Sequence, residues 1–115
     1  MQIFFIFFIN CCLFFYINIA YAAQSDWSGI EESKVRIISP LSKVGDNFII
    51  YLGLEYQLQE GWKTYWRSPG EGGFPQKIDS SASKNISELE VLWPTPKEFE
   101  ILGFKSIGYE NEVIF

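Results

Sequence analysis

Apolar and polar residues alternate most regularly over residues 48–58. Phe48, Ile50, Leu52, Leu54, Tyr56 and Leu58 share one parity, and Ile49, Tyr51, Gly53, Glu55 and Gln57 the other. Successive side chains of an extended chain point to opposite faces, so this period of two predicts a long, half-buried strand. Upstream, the β-branched run Lys34–Ser39 predicts a shorter strand that stops at Pro40, whose ring removes a ladder donor. Gly45-Asp46-Asn47 supplies turn chemistry between the two, which makes them neighbours.

After the Glu60-Gly61 turn, Trp62–Trp66 has the aromatic density that strands favour. Arg67–Pro75 holds three glycines and two prolines, a composition read as irregular loop. Short strands are expected at Gln76–Asp79 and Glu88–Trp93, the second stopped by Pro94 and Pro96, with a polar loop over Ser80–Asn85 between them. Gly103 and Gly108 read as loop residues, and Asn111–Phe115 begins another β-branched run. No segment shows a 3.6-residue apolar period, and turn residues recur every 8 to 12 positions or so, which places the chain among all-β sandwiches or barrels. Glu112–Phe115 reads as a strand with no turn after it, so the sheet is expected to be one or more strands short.

The first residues follow another pattern. Ile3–Ile9 and Cys11–Ile19 are nearly continuous Phe, Ile and Leu, and every charged residue lies at or beyond Asp26. Ala20-Tyr21-Ala22 gives the small-x-small site of a signal peptidase. The n-region carries no Lys or Arg and the run approaches the ~20 residues that span a bilayer, so an uncleaved anchor over 3–23 stands beside a cleaved signal over 1–22. Both put the remainder outside the cytoplasm. The organisation expected is a signal or anchor helix at 1–22, a linker at 23–33 and a domain at 34–115.

Composition then excludes chemistry. The only cysteines, Cys11 and Cys12, sit inside the apolar segment, and Asn10 before them does not suit lipid attachment. The chain has no histidine, which removes the commonest general base, Ser/His/Asp and Cys/His arrangements and nearly all zinc sites. A net charge of −5 with scattered Lys and Arg gives no footprint for phosphate backbones, so nucleic acid is not an expected partner. Gly70-Glu71-Gly72-Gly73 lacks the Lys-Ser/Thr of a P-loop, and the Glu98/Glu100 and Glu110/Glu112 pairs read as solvated faces. Neither a metal nor a cofactor is expected. Tyr65 and Trp66 beside the glycine loop leave open a stacking platform for a peptide or glycan.

Three separated blocks are more specific. Glu60-Gly61-Trp62-Lys63-Thr64-Tyr65-Trp66-Arg67-Ser68-Pro69-Gly70, Val91-Leu92-Trp93-Pro94 and Gly103-Phe104-Lys105-Ser106-Ile107-Gly108-Tyr109 together resemble the N-terminal domain of the DsbD-type thiol:disulfide interchange proteins of Gram-negative bacteria. The resemblance covers residues 34–115 and implies an immunoglobulin-like antiparallel β-sandwich in the periplasm. It implies a membrane-embedded electron-donor domain and periplasmic thiol–disulfide proteins as partners, with a role in cytochrome c maturation. Exchange in that family needs two cysteines, and the family's pair falls after the run beginning at Asn111, so the domain is expected to be truncated before it and redox-inert. The resemblance also places Tyr65 as an active-site-facing aromatic, with Lys63 where a second aromatic would stand. It places a cap loop at Ile101, Leu102, Gly103 and Phe104.

Overall fold

The computed structural model describes residues 22–115, so the expected signal or anchor falls almost wholly outside the described residues. All regular elements described are strands: β1 (Ala23–Gln24), β2 (Ser28–Ile30), β3 (Ser33–Ser39), β4 (Gly53–Leu58), β5 (Lys63–Gly70), β6 (Lys97–Ile101), β7 (Phe104–Glu110) and β8 (Glu112–Ile114). They form two antiparallel sheets: β1-β3-β4-β8, with β2 also on β3, and β5-β7-β6. The two-sheet, all-β architecture agrees with the alternation in the sequence.

Residues 23–33, read above as a linker, carry β1 and β2. Both lie along one edge of β3, at Ala23↔Ser39 and Ser28↔Val35. Ser25 keeps the edge joined where the strands break: its amide donates to the Ile37 carbonyl at 2.8 Å and its hydroxyl accepts from the Ile37 amide at 2.9 Å.

The ladder of β3 with β4 runs from Ser33↔Leu58 to Ile38↔Gly53 and stops there. The long strand expected over residues 48–58 is therefore realised only as Gly53–Leu58. Beyond Gly53, Pro40 has no amide to offer from the β3 side, and on the β8 side the last pair is Phe115 with Leu54, which exchange both backbone bonds at 2.9 and 3.1 Å. Phe48–Leu52 is left exposed and outside both ladders.

Parity within β4 sorts the side chains, with one surprise. Tyr56 and Leu58 share a face with Val113 and Phe115, and Leu58 and Val113 are buried there. The opposite face, expected to be polar and wet, buries Ile38 and Glu55 instead. Gly53 explains the first, because the Ile38 side chain occupies the space a Cβ on Gly53 would need. Arg36, the cross-strand partner of Glu55, explains the second: its Nε lies 2.6 Å from Glu55 Oε2, and its guanidinium lies 4.5 Å from the centre of the Trp27 ring. A buried carboxylate is tolerable when its charge is paired in this way.

One ring joins the sheets. Phe115 meets Tyr56 of β4, Tyr109 of β7 and Trp93 edge-on, with centroids 5.6, 5.1 and 5.2 Å away. These are favourable quadrupole geometries. The expected strand at Glu88–Trp93 is absent from both ladders; Trp93 packs against Phe115 instead, and the carbonyl of Pro94 just beyond it accepts the Tyr109 hydroxyl at 2.8 Å. Gln76–Asp79 likewise joins no ladder.

Candidate functional site

The smaller sheet positions the residues singled out by sequence. β5 pairs with β7 at Lys63↔Glu110, Thr64↔Tyr109 and Tyr65↔Gly108, and the register then jumps to Gly70↔Ser106. Trp66–Pro69 thus bulges opposite Ile107 alone, and the ladder resumes within a stretch expected to be loop throughout. The reason is Gly70, whose φ of +79° turns the backbone so that the Glu71 amide donates to the Lys105 carbonyl at 2.9 Å. Gly108 is a strand residue rather than a loop residue for a related reason: a Cβ there would strike the Thr64 carbonyl oxygen, so only glycine lets β5 and β7 close.

Past Gly70 the chain folds back over β5. Gly73 lies against the Tyr65 ring, so closely that a Cβ would collide with it, and Gly72 is held between Ser106 and Phe104. The Tyr65 hydroxyl donates to the Gly72 carbonyl at a long 3.5 Å, and Gln76 Nε2 donates to the Tyr65 carbonyl at 2.8 Å. Tyr65 is therefore half-buried beneath the glycine loop.

The proposed cap, Ile101–Phe104, is a two-residue hairpin turn. Ile101 pairs with Phe104, and Leu102 and Gly103 take φ of +52° and +83°, the combination that matches the twist of the flanking strands. Leu102 stands 94% exposed at its tip. Phe104, next along, reaches Gly72, so Phe104 and Tyr65 meet the same glycine from β7 and β5. Leu102 does not join them.

Lys63, where a second aromatic was anticipated, lies with its Nζ 4.4 Å from the Phe99 ring centre and 3.7 Å from Glu110 Oε2. Glu110 also takes Lys97 at 3.2 Å. Two residues escaped the sequence reading. Ser106 is fully buried, and its Oγ, like Gln76 Oε1, finds no hydrogen-bond partner among the described residues. Only their place beneath the glycine loop, invisible in a linear pattern, marks them. Beside the bulge, Trp66, Arg67 and residues 90–96 line an open groove of about 420 Å³. The Arg67 guanidinium lies 4.9 Å from the Trp66 ring centre. Burial pushes the Tyr109 phenol above its ordinary value, and Arg67 partly opposes this.

The chemistry available here is narrow. No group of three or more His, Cys, Asp or Glu among the described residues could hold a metal ion. Residues 22–115 contain neither cysteine nor histidine. What the arrangement offers is a shaped, partly aromatic surface carried on a sheet, with no thiol or imidazole among residues 22–115.

Known proteins give this surface a context. The family model of the N-terminal domain of the thiol:disulfide interchange protein DsbD matches residues 40–115. The crystal structure of the N-terminal periplasmic domain of ScsB from Proteus mirabilis superposes with a TM-score of 0.66 at 36% identity, covering 84% of this chain. The chain spans 38% of that structure's length. No curated protein sequence matches. With the two sheets, the family model over most of the chain and a solved relative in agreement, the chain belongs to the DsbD N-terminal domain family.

Proposed function

We propose that residues 23–115 form a periplasmic recognition domain of a thiol:disulfide interchange system. On this reading the domain presents the β5–β7 surface to a membrane-embedded electron-donor domain and to periplasmic thiol–disulfide proteins, including those of cytochrome c maturation. Residues 1–22 direct its export. The observation that carries the proposal is the family match over residues 40–115. Because residues 22–115 hold no thiol, this stretch does not itself exchange disulfides. Thiol exchange needs a thiolate to attack and a second sulfur to resolve the mixed disulfide.

The test separates recognition from chemistry. The chain, exported in a bacterium lacking its own DsbD-type reductase, is assayed for binding to a periplasmic disulfide isomerase and for the isomerase's redox state. Binding with an unchanged redox state supports the proposal. Reduction of the isomerase by the chain, or no binding, contradicts it. A second reading, capture of an extended peptide, is favoured by the groove between Trp66 and residues 90–96. A peptide-dependent rise in melting temperature that Trp66→Ala abolishes would support it.

A further inference from the structure

Among the described residues, two hydrogen bonds join Tyr65 to the chain that folds back over it. The Tyr65 hydroxyl reaches the Gly72 carbonyl only at 3.5 Å, the outer limit for such a bond, whereas Gln76 Nε2 donates to the Tyr65 carbonyl at 2.8 Å. β5 is an edge strand, and successive carbonyls along a strand point in opposite directions. The Thr64 carbonyl faces β7, since it stands where a Cβ on Gly108 would go, so the Tyr65 carbonyl faces away from the sheet. The Gln76 side chain meets it there and supplies the donor that a neighbouring strand would otherwise supply.

Stability does not account for this arrangement. Gln76 Oε1 is buried and has no hydrogen-bond partner among the described residues. A buried acceptor left unpaired costs at least as much as one hydrogen bond contributes. An apolar side chain of the same length would fill the place without that cost. What the carboxamide adds is direction: it fixes the backbone of Tyr65 at the open edge of β5. Gly73 meanwhile lies against the Tyr65 ring, and Gly72 is lodged between Ser106 and Phe104. The ring is thereby gripped between the loop glycines and a backbone that Gln76 holds.

We propose that Gln76 is a positioning residue, which sets Tyr65 in the orientation that a thiol–disulfide partner contacts. The inference rests on the recognition role proposed for the β5–β7 surface, and adds to it a residue that acts only through another. Holding an aromatic side chain in place before association spares the complex the cost of ordering it.

The test uses the full, exported chain carrying Gln76→Met, which keeps the length of the side chain and removes both the donor and the unpaired acceptor. The melting temperature is expected to move by less than about 4 °C. The dissociation constant for a periplasmic disulfide isomerase is expected to rise about three- to tenfold, the cost of ordering one side chain on binding. In the magnetic resonance spectrum of a sample with isotope-labelled tyrosine, the Tyr65 ring signals are expected to shift toward their positions in an unfolded chain. On a Tyr65→Ala background the same substitution is expected to leave binding unchanged, because the ring it acts through is gone. A merely structural Gln76 would lower the melting temperature and weaken binding equally on both backgrounds, and that result overturns the proposal. So does a Gln76→Met chain with wild-type ring signals and wild-type binding. Gln76→Asn, one methylene shorter and unable to reach the Tyr65 carbonyl, replaces Gln76→Met if the latter does not fold; loss of the fold in both makes Gln76 a core residue and overturns the proposal. A wild-type chain that binds no isomerase removes the recognition role, and the ring signals then decide the positioning alone.

Discussion

Single residues decide where this chain tolerates charge. Glu55 is 5% exposed on a face that alternation alone assigns to solvent, and it stays there because Arg36 sits opposite in the register and Trp27 covers the guanidinium. Arg36→Ala leaves that carboxylate without its cation and is expected to cost about 3 kcal/mol in urea unfolding at neutral pH. Arg36→Lys should recover only part of the loss, since a point charge reproduces neither the Nε contact nor the flat stack on Trp27. Removing the ring of Phe115 is expected to cost about 3 kcal/mol, because three aromatic partners lose their common neighbour. The same denaturant series would show it. Of these two centres, sequence pattern reaches only the second in part: Phe115 falls in a visible apolar run, whereas the Arg36–Glu55 pair depends on a register that no linear reading supplies.

Elements were legible where hydrophobic parity and a ladder partner coincide. β3 and the second half of the alternating run were predicted within a residue or so, and β8 lies within the run from Asn111. The misses share a cause: whether a segment enters a ladder depends on what lies beside it. Phe48–Leu52 has the strand pattern and no ladder partner among the described residues. Glu88–Trp93 has the pattern, but its Trp93 packs on Phe115 and Pro94 just beyond it accepts from Tyr109 instead. Conversely β6 and β7 form a hairpin across a turn that looked like loop, because Gly108 reads as a breaker until the close backbone of Thr64 is seen. Of the residues placed at the candidate site by resemblance, Tyr65 and Phe104 meet at Gly72, and Leu102 is left at the hairpin tip. That tip yields a prediction. Leu102 holds a φ of +52° with its side chain in water, where asparagine is at ease. Leu102→Asn should stabilise the domain by about 0.5–1 kcal/mol, read as a rise in melting temperature, and should leave partner binding intact if the tip is not a contact. Gly103→Ala at φ +83° should act in the opposite direction by about 1 kcal/mol.

At the scale of the whole molecule, stability should depend on alkaline pH through two phenols. Burial raises Tyr56 and, against the pull of Arg67, Tyr109 above the ordinary tyrosine value. Raised folded values mean that the stabilisation is complete below the unfolded value near 10 and is lost as pH climbs from there through the folded values. Chemical unfolding followed between pH 7 and 11 should be flat to about pH 9 and fall steeply beyond pH 10, with Tyr109→Phe reducing the slope. The arrangement around Phe115 also has a consequence in time. Tyr56, Trp93 and Tyr109 belong to three separate stretches, and the ring that gathers them stands last among them in the sequence. On the export proposed above, a chain threaded outward N-terminus first delivers Tyr56, Trp93 and Tyr109 before Phe115, so the contacts of this hub form only once residue 115 has crossed.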